Sequence, residues 1–315
     1  MEIYKNAYQI QSFYGGRNLF QYLLTGDRLV LVDSGIGSTP EGTILPYMER
    51  IGHDPRQLSM VITTHPDMDH QGGNSALSRH APAALFACGE ADRDLVEDPQ
   101  SLYAKRYNYL RANHGLGFQE EPPPDAGSHC RVDIGFGGGE QIALSDEWTI
   151  EVLHVPGHSR GHLALYDRSN KAAFVSDAVH GHGCPKADGT MAIPVTYYHI
   201  EAYLSTLSRL EALDIDALYT GHWPIMRGEE ISDFLADSRR TIERLDRRIL
   251  NALNKVPNGL TLKDLLLAAR EEFPEWPEDT NNLAMFSVKG HLERLESQGS
   301  VRLDATRSPI RWSMI

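Results

Sequence analysis

Short apolar runs, separated by Gly, Asp and Asn, mark the first two thirds of the chain as strand-rich. Residues 18–24 and 28–33 flank Thr25-Gly26-Asp27 and predict a β-hairpin. In the second run Leu29, Val30, Leu31 and Val32 are apolar in succession, so both faces of that strand should be covered. A helix is expected over residues 40–51, then a buried strand at Met60-Val61-Ile62-Thr63, a shorter helix over 74–80 and a strand near 83–87. The β pattern returns over 148–155 and 163–175. Strands alternating with helices, with hairpins besides, predict a layered α/β sandwich in place of a purely parallel sheet.

Residues 97–130 break this pattern with Tyr103, Tyr107, Tyr109 and the run Pro122-Pro123-Pro124. They read as an inserted helical cap with a loop, and long insertions in compact domains are more often lids or binding loops than neutral decoration. After about residue 232 the period becomes helical, with Ile242, Leu245, Ile249 and Leu253 in step until Pro257-Asn258-Gly259 stops it. Thr261-Leu262-Lys263-Asp264 has the form of a capping box. Residues 281–297 predict a third helix closed by Gly299, and Val301-Arg302-Leu303 can pair with Ile310-Arg311-Trp312. Three helices and a hairpin outline a winged helix. The chain therefore divides into a unit over 1–232, carrying the 97–130 insertion, and a winged-helix-like unit over 233–315.

Composition narrows the classes. With 315 residues, 41% hydrophobic and 23% charged, the chain has ordinary globular usage. No apolar run approaches the roughly 18 residues of a membrane span, and Glu2, Lys5, Gln9 and Gln11 interrupt the first segment. A cytoplasmic protein with no membrane partner is expected. Cys88, Cys130 and Cys184 are too scattered for a disulfide framework or a cysteine metal knuckle. The net charge of -13 makes nucleic acid an unfavourable partner. Residues 233–315 hold 13 Lys+Arg against 13 Asp+Glu, so the winged-helix outline lacks a basic face. Its expected role is packing or the formation of a homodimer.

The 14 histidines carry the chemistry. Three segments follow apolar strands: His65-Pro66-Asp67-Met68-Asp69-His70, then His154-Val155-Pro156-Gly157-His158-Ser159-Arg160-Gly161-His162, then Thr220-Gly221-His222. Ser176-Asp177 lies between the last two, again at a strand end. Side chains at successive strand ends meet in one cleft on a rigid support, which is what a metal site of several donors requires. His154 and His162 are expected to pack or hydrogen-bond near their loop without binding metal. Gly135-Phe136-Gly137-Gly138-Gly139 is no phosphate loop, because no helix with a lysine follows.

In order and spacing these segments resemble the metallo-β-lactamase superfamily over residues 1–232, with its His-x-His-x-Asp-His loop, Gly-His, bridging Asp and final Gly-His. The resemblance implies a four-layer αββα sandwich and two divalent metal ions. His65, Asp67 and His158 would hold the first, Asp69, His70 and His222 the second, and Asp177 would bridge them. Zinc is the expected metal. Asp67 stands where the family usually has a second His, and this harder, charged donor leaves iron or manganese open. The implied activity is a hydrolase that turns a metal-bound hydroxide on a small ester, lactone, thioester or amide. Asp69 is the expected catalytic residue, orienting the hydroxide and passing a proton to the leaving group. A nuclease of the same fold is the alternative, opposed by charge. A diiron or mononuclear-iron redox enzyme is a further one, favoured only by Asp67. His180, Tyr197 and Tyr198 are candidate contacts to a small-molecule substrate.

Overall fold

The computed structural model describes residues 1–315. Two sheets form its centre. The first runs β1 (Glu2–Tyr4), β2 (Ala7–Tyr14), β3 (Arg17–Thr25), β4 (Leu29–Val32), β5 (Leu58–Thr63), β6 (Leu85–Gly89) and β7 (Ile134–Phe136), in that order across the sheet. Pairing is antiparallel from β1 to β4 and parallel from β4 to β7. The second comprises β8 (Gln141–Ala143), β9 (Thr149–His154), β10 (Leu163–Asp167), β11 (Ala172–Ser176), β14 (Ala217–Thr220) and β15 (Met226–Arg227), ordered β15-β14-β11-β10-β9-β8. Between β11 and β14 the chain makes a small hairpin, β12 (Cys184–Pro185) with β13 (Met191–Ile193), and near its end another, β16 (Val301–Asp304) with β17 (Arg311–Met314).

The apolar runs show why the layers form. Successive side chains of a strand point to opposite faces, so a run apolar throughout needs cover on both. Val30 and Val32 face the second sheet, in a buried cluster with Leu163, Leu165, Ala172 and Phe174. Leu29 and Leu31 face outward, under the helices Leu45–Arg50 and Asn74–His80. The second sheet alternates the same way: Ala164, Tyr166, Ala173 and Val175 face a third cluster formed with Ile200–Glu211, Glu229–Asn254, Leu262–Glu272 and Met285–Ser297. Helix, sheet, sheet and helix follow one another across the molecule.

Several boundaries differ from the sequence expectation. β structure begins at Glu2, and the helix over 40–51 opens as a wide turn at Pro40–Ile44 before Leu45–Arg50. Residues 163–175 are two antiparallel strands, and the helix Ile200–Glu211 was not foreseen. The long helix Glu229–Asn254 starts ahead of residue 232, and its buried face shares one core with the second sheet. The 97–130 segment is a chain of short helical turns, Pro99–Leu102, Tyr103–Tyr107 and Arg111–His114, with Pro124–Ala126 after a loop. No helix is long and apolar enough to cross a membrane.

Candidate metal centre

The ends of β5, β9, β11 and β14 lie along one edge of the sandwich and deliver the polar residues. His65 follows β5 by two residues, and the short helix Met68–Gln71 turns Asp69 and His70 inward, both buried. Asp177 follows β11 directly, after Ser176 at φ 48°. His222 follows β14 across Gly221, where a Cβ would lie 2.4 Å from Asp177 Oδ1 and 2.7 Å from His70 Cε1. Only glycine allows that approach.

All seven residues expected at the centre come together here. The ligating atoms of His65, Asp67 and His158 lie within 4.8 Å of one another, as do those of Asp69, His70 and His222, those of His65, His70 and Asp177, and those of His158, Asp177 and His180. His158 Nε2 is 2.8 Å from Asp67 Oδ2, His222 Nε2 is 3.2 Å from Asp177 Oδ2, and His70 Nε2 is 3.3 Å from His222 Nε2. Two observations fit the group to divalent metal. His65 Nε2 and Asp177 Oδ1 are buried and have no hydrogen-bond partner, which is costly unless a cation meets them. The donors, imidazole and carboxylate, are those of a two-metal site.

Electrostatics follow from this crowding. Burial holds the His65 imidazole well below its ordinary value, with His70, His162 and His158 adding to it. Burial alone would lower His70 too, but Asp177 and Asp33 push it up to about 10. Asp67 and Asp177 stay well below the usual carboxylate range against the cost of burial, Asp67 because of Arg106 and His158, Asp177 because of His222 and His70.

Four residues support the cluster in ways that the sequence does not mark. Asp33, just after β4 and at φ 61°, lies 2.8 Å from His70 Nδ1 and accepts from Thr64 N–H at 2.8 Å and from Ser176 Oγ at 3.0 Å. It fixes the ring so that Nε2 faces the centre. Its position after an apolar strand is the same signal that marked the ligands. Arg17 on β3 donates to Asp69 Oδ2 at 3.0 Å. Arg106, from the inserted segment, grips Asp67 with Nε at 2.7 Å and Nη2 at 3.2 Å, and donates to His158 O. Tyr107 Oη also donates to Asp67, at 3.1 Å.

The substrate candidates separate. His180 is buried against the centre, with its ring 4.9 Å from that of His158 and Nε2 3.2 Å from Thr196 Oγ1. Tyr197 does not face the cleft: it is wholly buried, stacked on Tyr203 and hydrogen-bonded to His291, because the C-terminal helices cover that side. Tyr198 is half-buried on a neighbouring cavity, and its hydroxyl donates to Glu293. His162 stacks on His65 and contacts Val175 O, and His154 contacts Arg160 O. A cleft of about 350 Å³ opens over Asp67, Asp69 and Asp177, and its other walls are largely apolar, from Tyr14, Met68, Tyr103, Tyr107, Phe118 and Phe286.

The model of the metallo-beta-lactamase superfamily matches residues 14–222. An acyl-coenzyme A thioesterase of Homo sapiens is 26% identical over 225 residues, covering 64% of this chain and 71% of its own. A hydroxyacylglutathione hydrolase of Aeromonas hydrophila is 29% identical over 186 residues, covering 58% and 54%. In structure, a metallo-beta-lactamase family protein of Thermus thermophilus superposes with a TM-score of 0.75 at 19% identity, over 99% of this chain and 100% of that one. The match to the family model takes in β3 to β14 and all eight clustered residues, and the layered fold agrees with it: the chain belongs to the metallo-beta-lactamase superfamily.

Proposed function

We propose that the protein is a metal-dependent hydrolase of small acyl thioesters. The observation that carries this reading is the pair of buried, unpartnered atoms His65 Nε2 and Asp177 Oδ1 in the middle of the donor cluster. His65, Asp67 and His158 would hold one divalent ion and Asp69, His70 and His222 another, with Asp177 shared. Such ions, when bound, acidify water to a pKa of about 7 and polarise an acyl carbonyl. Thioesters are favoured over other acyl compounds by two relatives, named for acyl-coenzyme A and for hydroxyacylglutathione. The apolar walls of the cleft fit an acyl group.

The chain's own residues supply orientation and proton transfer. Arg17 fixes Asp69 through Oδ2, so that the carboxylate, while helping to hold the ion, would orient the attacking water and pass its proton to the departing sulfur. Asp33 and Thr196 hold the rings of His70 and His180 in place. Tyr103, Tyr107 and Phe118, from the inserted segment, give the cleft aromatic walls.

Elemental analysis of the purified protein, with a panel of thioester, lactone, phosphodiester and β-lactam substrates, tests the proposal. The expected result is bound divalent metal and thioester turnover that a chelator removes and added metal restores. The same analysis distinguishes zinc from manganese or iron, which Asp67 favours more than an imidazole would. Protein that binds no metal, or that cleaves phosphodiesters and leaves thioesters untouched, would overturn it.

A further inference from the structure

Beside the cleft lies a second cavity of about 330 Å³, and none of the eight clustered residues lines it. Its walls come from the inserted segment (Lys105, Arg106, Tyr109), the loop after His158 (Ser159, Arg160) and the stretch before Ile200–Glu211 (Tyr198, His199). Phe286 lines both cavities, and Arg106 lines the second while its guanidinium grips Asp67. The two spaces are therefore neighbours across one aromatic ring and one arginine.

The charges on the walls of this second cavity are committed to different extents. Lys105 and Asp94 pair with each other at 2.6 Å. Asp92 is buried and accepts from Ser159 Oγ, and burial pushes its carboxyl up. Glu293, nearby, is taken by Tyr198 and Lys289. Arg160 remains an exposed guanidinium with no acidic partner. The Tyr109 hydroxyl is buried beside that of Tyr198 and makes no close hydrogen bond. The His199 imidazole is half-buried, and burial with Arg160 and Arg106 brings it down to about 4, so it stays neutral at physiological pH. An unpaired cation, a buried hydroxyl with no close hydrogen bond and an aromatic floor form a place for an anion attached to an organic stem.

We propose that this cavity binds the anionic carrier of the thioester, a thiol bearing phosphate or carboxylate, while the acyl group occupies the apolar cleft. The inference rests on the thioesterase reading and specifies its substrate: Arg160 and Tyr109 hold the carrier's anion and Phe286 supports its stem. Specificity then resides in the leaving group more than in the acyl chain.

The test uses thioesters of one acyl group on three carriers: coenzyme A (phosphates), glutathione (carboxylates) and neutral N-acetylcysteamine. The expected kcat/KM of the full-length protein is about tenfold or more higher for one anionic carrier than for the neutral one, as a charge-assisted contact warrants. Which of the two anionic carriers is preferred distinguishes phosphate from carboxylate. Arg160→Glu should abolish that preference through KM, and Tyr109→Phe should weaken it. Calorimetry with the free carrier thiols provides a readout independent of turnover: binding to the wild type and none to Arg160→Glu. Equal rates on all three carriers, unchanged by Arg160→Glu, would overturn the cavity's role and leave the thioesterase reading intact. Failure to cleave any thioester would strike that reading instead, and calorimetry would still decide whether the cavity takes the anion.

Discussion

Asp67 puts a carboxylate where imidazole is usual in the family, and Arg106 cancels the added charge. Both side chains are largely buried, at 16% and 11% exposure, and the contact is bidentate. Together they would present a nearly neutral donor to a metal ion. Removing one member of a buried ion pair costs about 3–5 kcal/mol, because the other is left uncompensated. Arg106→Met should therefore destabilise the metal-free protein by about 3 kcal/mol. Added manganese or zinc should then raise the variant's Tm more than the wild type's, since a freed carboxylate binds cations better and binding stabilises only the folded state. If metal raises both equally, Asp67 does not contribute to the site. A second pair responds to pH. His182 lies 2.6 Å from Asp237, which raises its imidazole above 6.5, while His182 in turn lowers Asp237. The His182 contribution is complete below about 6.5 and is lost as pH rises through the folded value. Both side chains are partly exposed, so about 0.5 kcal/mol is expected. His182→Gln should narrow the stability gap between pH 5.5 and 8.5, as read by urea unfolding. Arg17 and Arg106 could not be read from the sequence, because their carboxylates lie 52 and 39 residues away. The ligands could, because four of them fall within six residues.

At the scale of elements, the strand ends place the chemistry and the glycines set how closely the elements approach. Cover on both faces was legible where a run was apolar throughout, as at Leu29 to Val32. It was not legible in β2, where Gln9, Gln11 and Ser12 interrupt the pattern, although Gln9 and Ser12 are buried and hydrogen-bonded across to β3. The helix Met285–Ser297 was expected, but its contact was not. At Gly290 an added Cβ would fall 2.0 Å from Tyr198 O, so the helix lies directly against the segment that carries Tyr198 and His199. Gly290→Ala trades better helix propensity, about 1 kcal/mol, for a clash with backbone that only a shift of the helix relieves. The clash should win: a net loss of about 1–3 kcal/mol is expected, seen as a lower Tm. A raised Tm would mean that the helix is free to move away from Tyr198.

On the scale of the whole molecule, the largest buried cluster joins the outer face of the second sheet to all the C-terminal helices. Polar contacts cross the same junction: Trp276 Nε1 donates to His182 O at 2.7 Å, Thr280 Oγ1 to Ala192 O at 2.9 Å, and Tyr197 Oη lies 3.2 Å from His291 Nε2. These partners belong to the segment between Asp177 and Ile200, which runs from the metal centre to the second cavity. The period changes at about residue 232, and one buried cluster continues across that point. A chain that ended at residue 228 would leave Val195, Tyr197, Ile200 and Tyr203, all buried here, without their cover. Burial of each such side chain is worth about 1.5–3 kcal/mol, against a typical net stability of about 5–15 kcal/mol. The full-length protein should unfold in one calorimetric transition, and a chain truncated after Gly228 should lack both that transition and a monomeric gel-filtration peak. A truncated chain that is monomeric, melts cooperatively and retains its metal would instead make residues 229–315 a separable domain, with the second cavity losing only its Phe286 wall.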